Sequence, residues 1–257
     1  SKGKEMIESV WENSIQKTIG KQQVQQPIIN FSESFSSTLT KEDSKKPFHQ
    51  PEKNEFGPNL SHNQLKDTDI EHIFKQINQF EKPKVLFLKN NHISDIGLKK
   101  ILHSLQQNKT IQHLILSNNN ICISEFCKAA IMDLLKVNHY IGWLVLNGNN
   151  INDEGAINLA NSLKENTSVT HLILSENKIS DKGLKVLLKN IENHPKLESL
   201  FLNNNQLTDK SLIELEKFIY NSPKIKRIYI ENIQIQQLNQ LTPLKTLCEK
   251  RNIHLVY

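Results

Sequence analysis

Arginine is scarce in this 257-residue chain, since Arg227 and Arg251 are the two arginines among 32 basic residues. Arginine reads guanines and phosphates through paired hydrogen bonds, and the lysines here are dispersed along the chain rather than clustered. The formal net charge of +5 is therefore interpreted as solvated helix faces. No nucleic-acid partner is expected.

Cysteines, long apolar runs and catalytic motifs are also scarce. Cys122, Cys127 and Cys248 are too few and wrongly spaced for a disulfide framework or a paired-cysteine metal site, which favours reducing, cytosol-like surroundings. No run approaches 18 apolar residues, so no membrane span is predicted. The chain has no phosphate-binding loop, zinc-protease motif or nucleophile turn. The sequence predicts a protein that is not an enzyme and has no metal site or cofactor.

The chain does contain a repeat made of a strand, a turn and a helix. One clear copy begins at Val169 and reads VTHLILSENKISDKGLKVLLKNI. The first strand-leucine position of successive copies falls at 58, 86, 114, 144, 172, 200 and 228, with intervals of 28, 28, 30, 28, 28 and 28 residues. Such self-similarity predicts a solenoid, in which neighbouring repeats bury each other's apolar faces.

Two polar residue types recur at fixed places in the repeat. An asparagine follows the strand in six of the seven copies, at Asn63, Asn91, Asn119, Asn149, Asn177 and Asn205, and the last copy has Ile233 there; an aspartate opens most helices, at Asp67, Asp95, Asp153, Asp181 and Asp209. A buried amide can satisfy backbone groups of its own turn and of adjacent turns, so the asparagines are predicted to be structural. The aspartates are predicted to cap the free N–H groups of the helices they open.

The stretch LVLNGNNINDEGAINLANSLKEN resembles the leucine-rich repeats of the ribonuclease-inhibitor type, and the resemblance covers about residues 58–235. Proteins of this type include ribonuclease inhibitors, sensing regions of innate immune receptors, tropomodulin-like actin cappers, Ran GTPase-activating proteins and secreted bacterial effectors. The resemblance implies an α/β solenoid shaped as a horseshoe, with an inner parallel sheet and outer helices. It does not choose among those functions.

Three regions are predicted. Residues 1–57 hold a linker and a helix whose apolar side is Met6, Ile7, Val10, Trp11, Ile15 and Ile19, and they either cap the first repeat or form a separate recognition element. Residues 58–235 form about seven repeats. Residues 236–257 form a C-terminal cap, with a helix through LKTLCEK and a closing strand around residues 253–256.

Two rows of side chains are predicted to project into solvent from the inner face of the sheet, because the strand leucines face the core. The first row, named the inner ribbon, is Phe87, Ile115, Val145, Ile173, Phe201 and Tyr229; the second row is Val85, His113, Trp143, His171, Ser199 and Arg227. Neighbouring strands lie about 4.8 Å apart, so the ribbon is continuous. An exposed apolar patch of this extent indicates a partner-binding surface.

The predicted partner-binding residues are Phe87, Lys89, His113, Ile115, Trp143, Val145, His171, Ile173, Phe201, Arg227 and Tyr229. Two alternatives stay open: these residues only stabilise the strands through cross-strand contacts, or the N-terminal arm folds back over them. His113 and His171 are two strands apart, roughly 10 Å, so one metal ion cannot bind both.

The predicted function is a non-enzymatic, monomeric interaction module that binds a partner protein on its concave face. Abundant Asn, Ile and Lys with sparse Arg and Ala resemble coding from an A+T-rich genome, so the favoured setting is a bacterial effector secreted into the host cytoplasm; otherwise the protein is cytoplasmic. The alternatives are a GTPase-activating or other regulatory leucine-rich repeat protein, and a fragment of a larger sensing receptor or actin-capping protein. Scarce arginine counts against an arginine finger.

Overall fold

The computed structural model describes residues 57, 59–77, 82–236 and 238–257. The predicted N-terminal helix and linker, residues 1–56, lie outside the described residues. Helices and strands alternate along the described chain: α1 (Ile70–Ile77), β1 (Val85–Phe87), α2 (Asp95–Leu105), β2 (His113–Ile115), α3 (Glu125–Val137), β3 (Trp143–Val145), α4 (Asp153–Leu163), β4 (His171–Ile173), α5 (Asp181–Ile191), β5 (Ser199–Phe201), α6 (Lys210–Asn221), β6 (Arg227–Tyr229), a 3-10 helix (Leu238–Leu241), α7 (Thr242–Lys250) and β7 (His254–Val256). None of the helices in these ranges is both long enough and apolar enough to span a bilayer.

The seven strands form one open parallel sheet in chain order. The strand leucines stand in one continuous column, which runs through Leu86, Leu114, Leu144, Leu172, Leu200, Ile228 and Leu255. Parallel neighbours need a crossover between them, and here each crossover is the helix of the repeat. The predicted α/β solenoid with a parallel sheet and one helix per repeat is confirmed.

The helices pack against one face of the sheet and bury a single long core. In α5 the buried residues include Leu184, Leu187, Leu188 and Ile191, which recur at the spacing of one helix side. The core runs without a break from Leu60 to Ile253. Helix α3 begins 11 residues after the strand leucine of its repeat, whereas α2, α4 and α5 begin nine residues after theirs, so the two extra residues of the 30-residue repeat lie in the turn before the helix.

The recurrent asparagines bind the turns of two successive repeats, as their structural role predicts. Asn177 Oδ1 accepts from the N–H of Ile151 at 3.0 Å, and its Nδ2 donates to the carbonyls of Leu146 at 3.1 Å and Leu174 at 3.0 Å. Equivalent bonds are made by Asn91, Asn119, Asn149 and Asn205. Each amide therefore satisfies backbone groups that the three-residue strands leave unpaired.

The prediction that the aspartates cap their own helices was wrong for Asp153. Asn152, not Asp153, is the N-cap of α4, since its backbone is extended and its side chain accepts from the N–H of Gly155. The Asp153 carboxylate instead accepts from Ser180 N at 2.8 Å and Ser180 Oγ at 2.6 Å. A Cβ at Gly183 would lie 2.5 Å from Asp153 Oδ1, so the glycine admits this close approach.

The same correction applies to three other aspartates. Asp67, Asp95 and Asp181 bind the N–H and hydroxyl of Ser94, Ser124 and Thr208, each in the next repeat. Asp209 precedes α6 but makes no side-chain cap bond. In α2 and α5 a serine N-cap precedes the aspartate, so Asp95 and Asp181 are the first helical residues and their carboxylates reach the neighbouring repeat. These carboxylates hold successive repeats together.

We expect Asn177→Ala to lower the free energy of unfolding by roughly 2–4 kcal/mol, because three backbone groups lose their hydrogen-bond partner in the interior. Urea unfolding followed by circular dichroism measures the change. The matched control is Asn161→Ala, an exposed position on α4, where the change is expected to stay within about 0.5 kcal/mol. Equal effects at the two positions would contradict the structural role of the amide.

Candidate functional site on the inner face of the sheet

Strand register brings the predicted partner-binding residues together on the inner face. His113 pairs with Trp143 and Trp143 with His171, and the second row continues to Ser199 and Arg227. The inner ribbon stands in register from Phe87 to Tyr229. Lys89 lies two residues beyond the end of β1.

The expectation that the inner ribbon is exposed to solvent was wrong. Val85, Ile115, Trp143, Val145, Ile173, Phe201 and Tyr229 form a second buried cluster, named the inner-face cluster, and Phe87 and Val256 pack against it partly buried. Trp143 is 9% exposed and the other six members are 0–4% exposed. The sheet is therefore buried on both faces, with the strand leucines in one core and the inner-face cluster in another.

Aromatic rings stack along the centre of the inner face. The Trp143 ring stacks on the His171 ring with centroids 4.2 Å apart. The His113 ring makes a T-shaped contact with the same Trp143 ring, with centroids 5.1 Å apart. Phe201 and Tyr229 stack at 4.1 Å with nearly parallel rings. Rings in these arrangements attract each other beyond their apolar burial, so adjacent strands are held together on this side as well.

A chain of hydrogen bonds determines the tautomer of His171. Arg227 Nη1 lies 3.4 Å from His171 Nε2 and donates to Ser199 Oγ at 3.0 Å. A guanidinium can only donate, so Nε2 is the acceptor and Nδ1 carries the proton. That proton is donated to Thr170 Oγ1 at 2.9 Å, and the Thr170 hydroxyl donates to the carbonyl of Gly142 at 3.0 Å.

Burial keeps both histidines of the second row neutral. It lowers the pKa of His113 to about 4. Burial, with a smaller contribution from the Arg227 charge, lowers the pKa of His171 to about 4. Burial also raises the pKa of Tyr229. At neutral pH the centre of the inner face thus carries no charge, while Arg227 stands at one side of it.

Two polar atoms of this face are buried without a hydrogen-bond partner among the described residues, His113 Nδ1 and Ser175 Oγ. Their neighbours on the polar side of the ribbon are paired: Ser117 Oγ donates to Asn147 at 2.7 Å, and Asn203 Nδ2 donates to Glu231 at 2.9 Å. Unpaired buried polar atoms are uncommon because they cost free energy.

The sequence analysis omitted two residues that extend this site. Strand β7 joins the sheet beside β6, so Val256 packs against the inner-face cluster and His254 meets Tyr229 edge-on at 5.9 Å. The sequence pattern that could have identified these two residues is Ile253-His254-Leu255-Val256, because Leu255 follows the strand position Ile228 at one residue less than the usual 28. Within the described ranges, no group of three or more His, Cys, Asp or Glu side chains is placed to hold a metal ion.

Family comparisons identify leucine-rich repeats in this chain. One leucine-rich repeat model matches residues 138–160 and 165–188, and a second matches residues 196–218. The seven parallel strands alternating with helices are consistent with an α/β leucine-rich-repeat solenoid, and repeats of this kind support a role as a protein-interaction module. No enzyme family is indicated by these matches.

Among solved structures, the fold resembles a fragment of leiomodin-1 described as Actin-Binding Site 2. The two share 18% sequence identity with a TM-score of 0.51, and the match covers 58% of this chain and 86% of the leiomodin fragment. At this identity the likeness concerns the fold alone. No curated protein matches the chain.

We expect the free energy of unfolding to fall as the pH is lowered from about 6.5 toward about 4. The folded-state pKa values of His113 and His171 are about 4, below the unfolded value of about 6.5. Their stabilising contribution is complete above the unfolded pKa and is lost as the unfolded chain takes up protons. Between pH 7 and pH 5 the loss is roughly 1–2 kcal/mol per histidine.

Urea unfolding at a series of pH values measures this slope. The variant His113→Gln with His171→Gln should flatten it, although buried His194, whose pKa is also lowered to about 4, retains its own contribution. The matched control is His103→Gln on the exposed side of α2, which should leave the slope unchanged. A double variant as pH-sensitive as the parent would contradict the assignment.

Proposed function

We propose that this protein is a non-enzymatic binding module that engages a partner protein through the inner face of its sheet. The observation that supports this is the inner-face cluster. The solenoid buries its own core on the helix side, and a solenoid sheet can leave its other face polar and solvated. Here that face carries Trp143, Phe201 and Tyr229 instead. Aromatic residues and arginine dominate the binding energy of protein interfaces.

The predicted partner surface comprises the inner ribbon, Lys89, and four residues of the second row, His113, Trp143, His171 and Arg227. The centre of the surface is apolar and uncharged, while Lys89, Arg227 and Glu231 are only partly buried. A desolvated apolar centre with a polar rim is the usual anatomy of a protein interface.

We further propose that the repeats are of the ribonuclease-inhibitor type and that the protein is a monomeric bacterial effector acting in the host cytoplasm. Repeats of 28–30 residues, each with its own α-helix, support the type. The abundance of Asn, Ile and Lys and the three free cysteines support the setting.

A GTPase-activating role is disfavoured by how the arginines are held. Arg227 binds Ser199 and His171, and Arg251 donates to the carbonyls of Ile219 at 3.0 Å and Ser222 at 3.4 Å. An arginine finger must present its guanidinium to the nucleotide of a partner. Unchanged GTP turnover by small GTPases mixed with this protein is the expected result.

Charge reversal on the inner face should weaken partner capture by roughly tenfold or more. The test variant is Lys89→Glu with Arg227→Glu, because both side chains are partly exposed. Truncating Trp143 or Phe201 is less suitable, since loss of a large buried ring costs roughly 3–5 kcal/mol in stability. Captured proteins from host-cell lysate are identified and quantified by mass spectrometry.

The control for this experiment is Lys164→Glu with Lys182→Glu, which makes the same change in net charge at exposed positions on the helix side. Both variants must match the parent in circular dichroism and urea midpoint. Equal capture by the inner-face and helix-side variants would refute the inner face as the partner surface.

Actin gives a defined partner to test, because the leiomodin fragment with the same fold is described as an actin-binding site. Co-sedimentation of the purified protein with actin filaments, and its effect on the polymerisation rate, measure the interaction. If the parent protein binds actin and the variant Lys89→Glu with Arg227→Glu does not, actin is a partner of the inner face. Absence of binding would leave the partner to the lysate experiment.

A further inference from the structure

Lysines that are far apart in the sequence lie together on one edge of the solenoid. Because the strands are parallel and each helix returns the chain to the start of the next strand, the loops from helix to strand share one edge. This edge is named the helix-end edge. An exposed lysine stands at or just after the end of each helix from α2 to α7, at Lys109, Lys136, Lys164, Lys196, Lys224 and Lys250.

These six lysines form a row in which most side chains have no acidic partner. Neighbouring helices pack about 8–10 Å apart, so the row is on the order of 40–50 Å long. Lys136 pairs with Glu165 at 3.2 Å, and the other five lysines make no ion pair with any described residue. The aspartates at the helix starts lie on the other edge. Charge is therefore segregated between the two edges.

The helix dipole accounts for only part of this row. A cation near a helix C-terminus is favourable, but the effect falls off within the last turn. Lys196 lies five residues beyond Ile191, where α5 ends, and Lys109 lies four residues beyond Leu105, where α2 ends. Stabilisation of the helices therefore does not explain these two lysines.

Exposed apolar side chains stand among the lysines of the helix-end edge. Val137 is 51% exposed, Tyr140 44% and Tyr220 77%. The first two follow Lys136 directly, and Tyr220 precedes Lys224 at the end of α6. A tyrosine side chain has an apolar body and a polar tip, which suits the boundary between lipid headgroups and hydrocarbon. The edge thus combines positive charge with interfacial anchors.

We propose that the helix-end edge docks on an anionic lipid surface, with the lysine row against the headgroups and Tyr140 and Tyr220 at the interface. Lysine is a point charge that suits a diffuse layer of anionic headgroups, whereas paired reading of phosphates and bases in nucleic acid relies on arginine. Successive loops in one row can contact a flat surface along their whole length. The edge is a different side of the solenoid from the inner face, so its failure would leave the proposed function untouched.

Co-sedimentation of the full chain with lipid vesicles tests the proposal. Vesicles of phosphatidylcholine with about one-third phosphatidylserine should bind the protein, whereas phosphatidylcholine alone should not, and added salt should weaken binding. The variant Lys164→Gln with Lys196→Gln and Lys224→Gln should bind roughly a hundredfold more weakly, at roughly fivefold per lysine. Equal sedimentation with the two kinds of vesicle, or none with either, overturns the proposal.

The matched control is Lys178→Gln with Lys182→Gln and Lys210→Gln. It makes the same change in net charge at exposed positions near the helix starts. The control should bind anionic vesicles at least roughly tenfold more tightly than the test variant, because charges more than a Debye length from the lipid are screened. Far-ultraviolet circular dichroism and urea midpoints confirm folding of both variants. Equal loss of binding in the two variants overturns the proposal.

A second test measures the orientation of the bound protein. Tyr220→Trp places a tryptophan on the helix-end edge, and Ile213→Trp places one at a 60% exposed position earlier on the same helix. The two positions are roughly 10 Å apart along the helix axis. Anionic vesicles with brominated acyl chains should quench the tryptophan at position 220 and spare the one at 213, while Trp11 and Trp143 are common to both variants. Equal quenching of the two variants overturns the proposal.

Discussion

The register of the repeats depends on the hydrogen bonds that each strand-ending asparagine makes across two turns. Strands of three residues form few ladder bonds, and their turns would leave backbone groups unpaired in the interior. Asn177 satisfies groups of its own repeat and of the preceding one, and the aspartates bind forward to the next. With both neighbours bound, no strand can shift, and equivalent residues must form straight columns across the sheet.

Those columns give the sheet two different buried faces. On one, the strand leucines pack against the helices; on the other, aromatic and β-branched residues pack along the strands. Parallel sheets are usually covered on both faces, and their strands are then apolar throughout. Strands such as WLV and HLI agree with that rule.

The fold and the register could be predicted from sequence because the 28-residue period encodes them directly. The direction in which the aspartates bind could not, because it depends on whether the preceding serine takes the N-cap conformation, as Ser180 does. The burial of Trp143 and Phe201 escaped prediction for another reason. Alternation along a strand shows which face a residue occupies, but not what lies over that face.

The polarity of the inner face restricts what it can bind. Its centre consists of stacked rings and two neutral imidazoles, so a charged group placed there would be desolvated without compensation. Two positive charges flank this centre: Lys89 lies just after β1, and Arg227 lies on β6. The complementary ligand has an apolar stripe along its length and carboxylates near its ends. A partner protein bound at the proposed surface would therefore present an amphipathic surface of this kind.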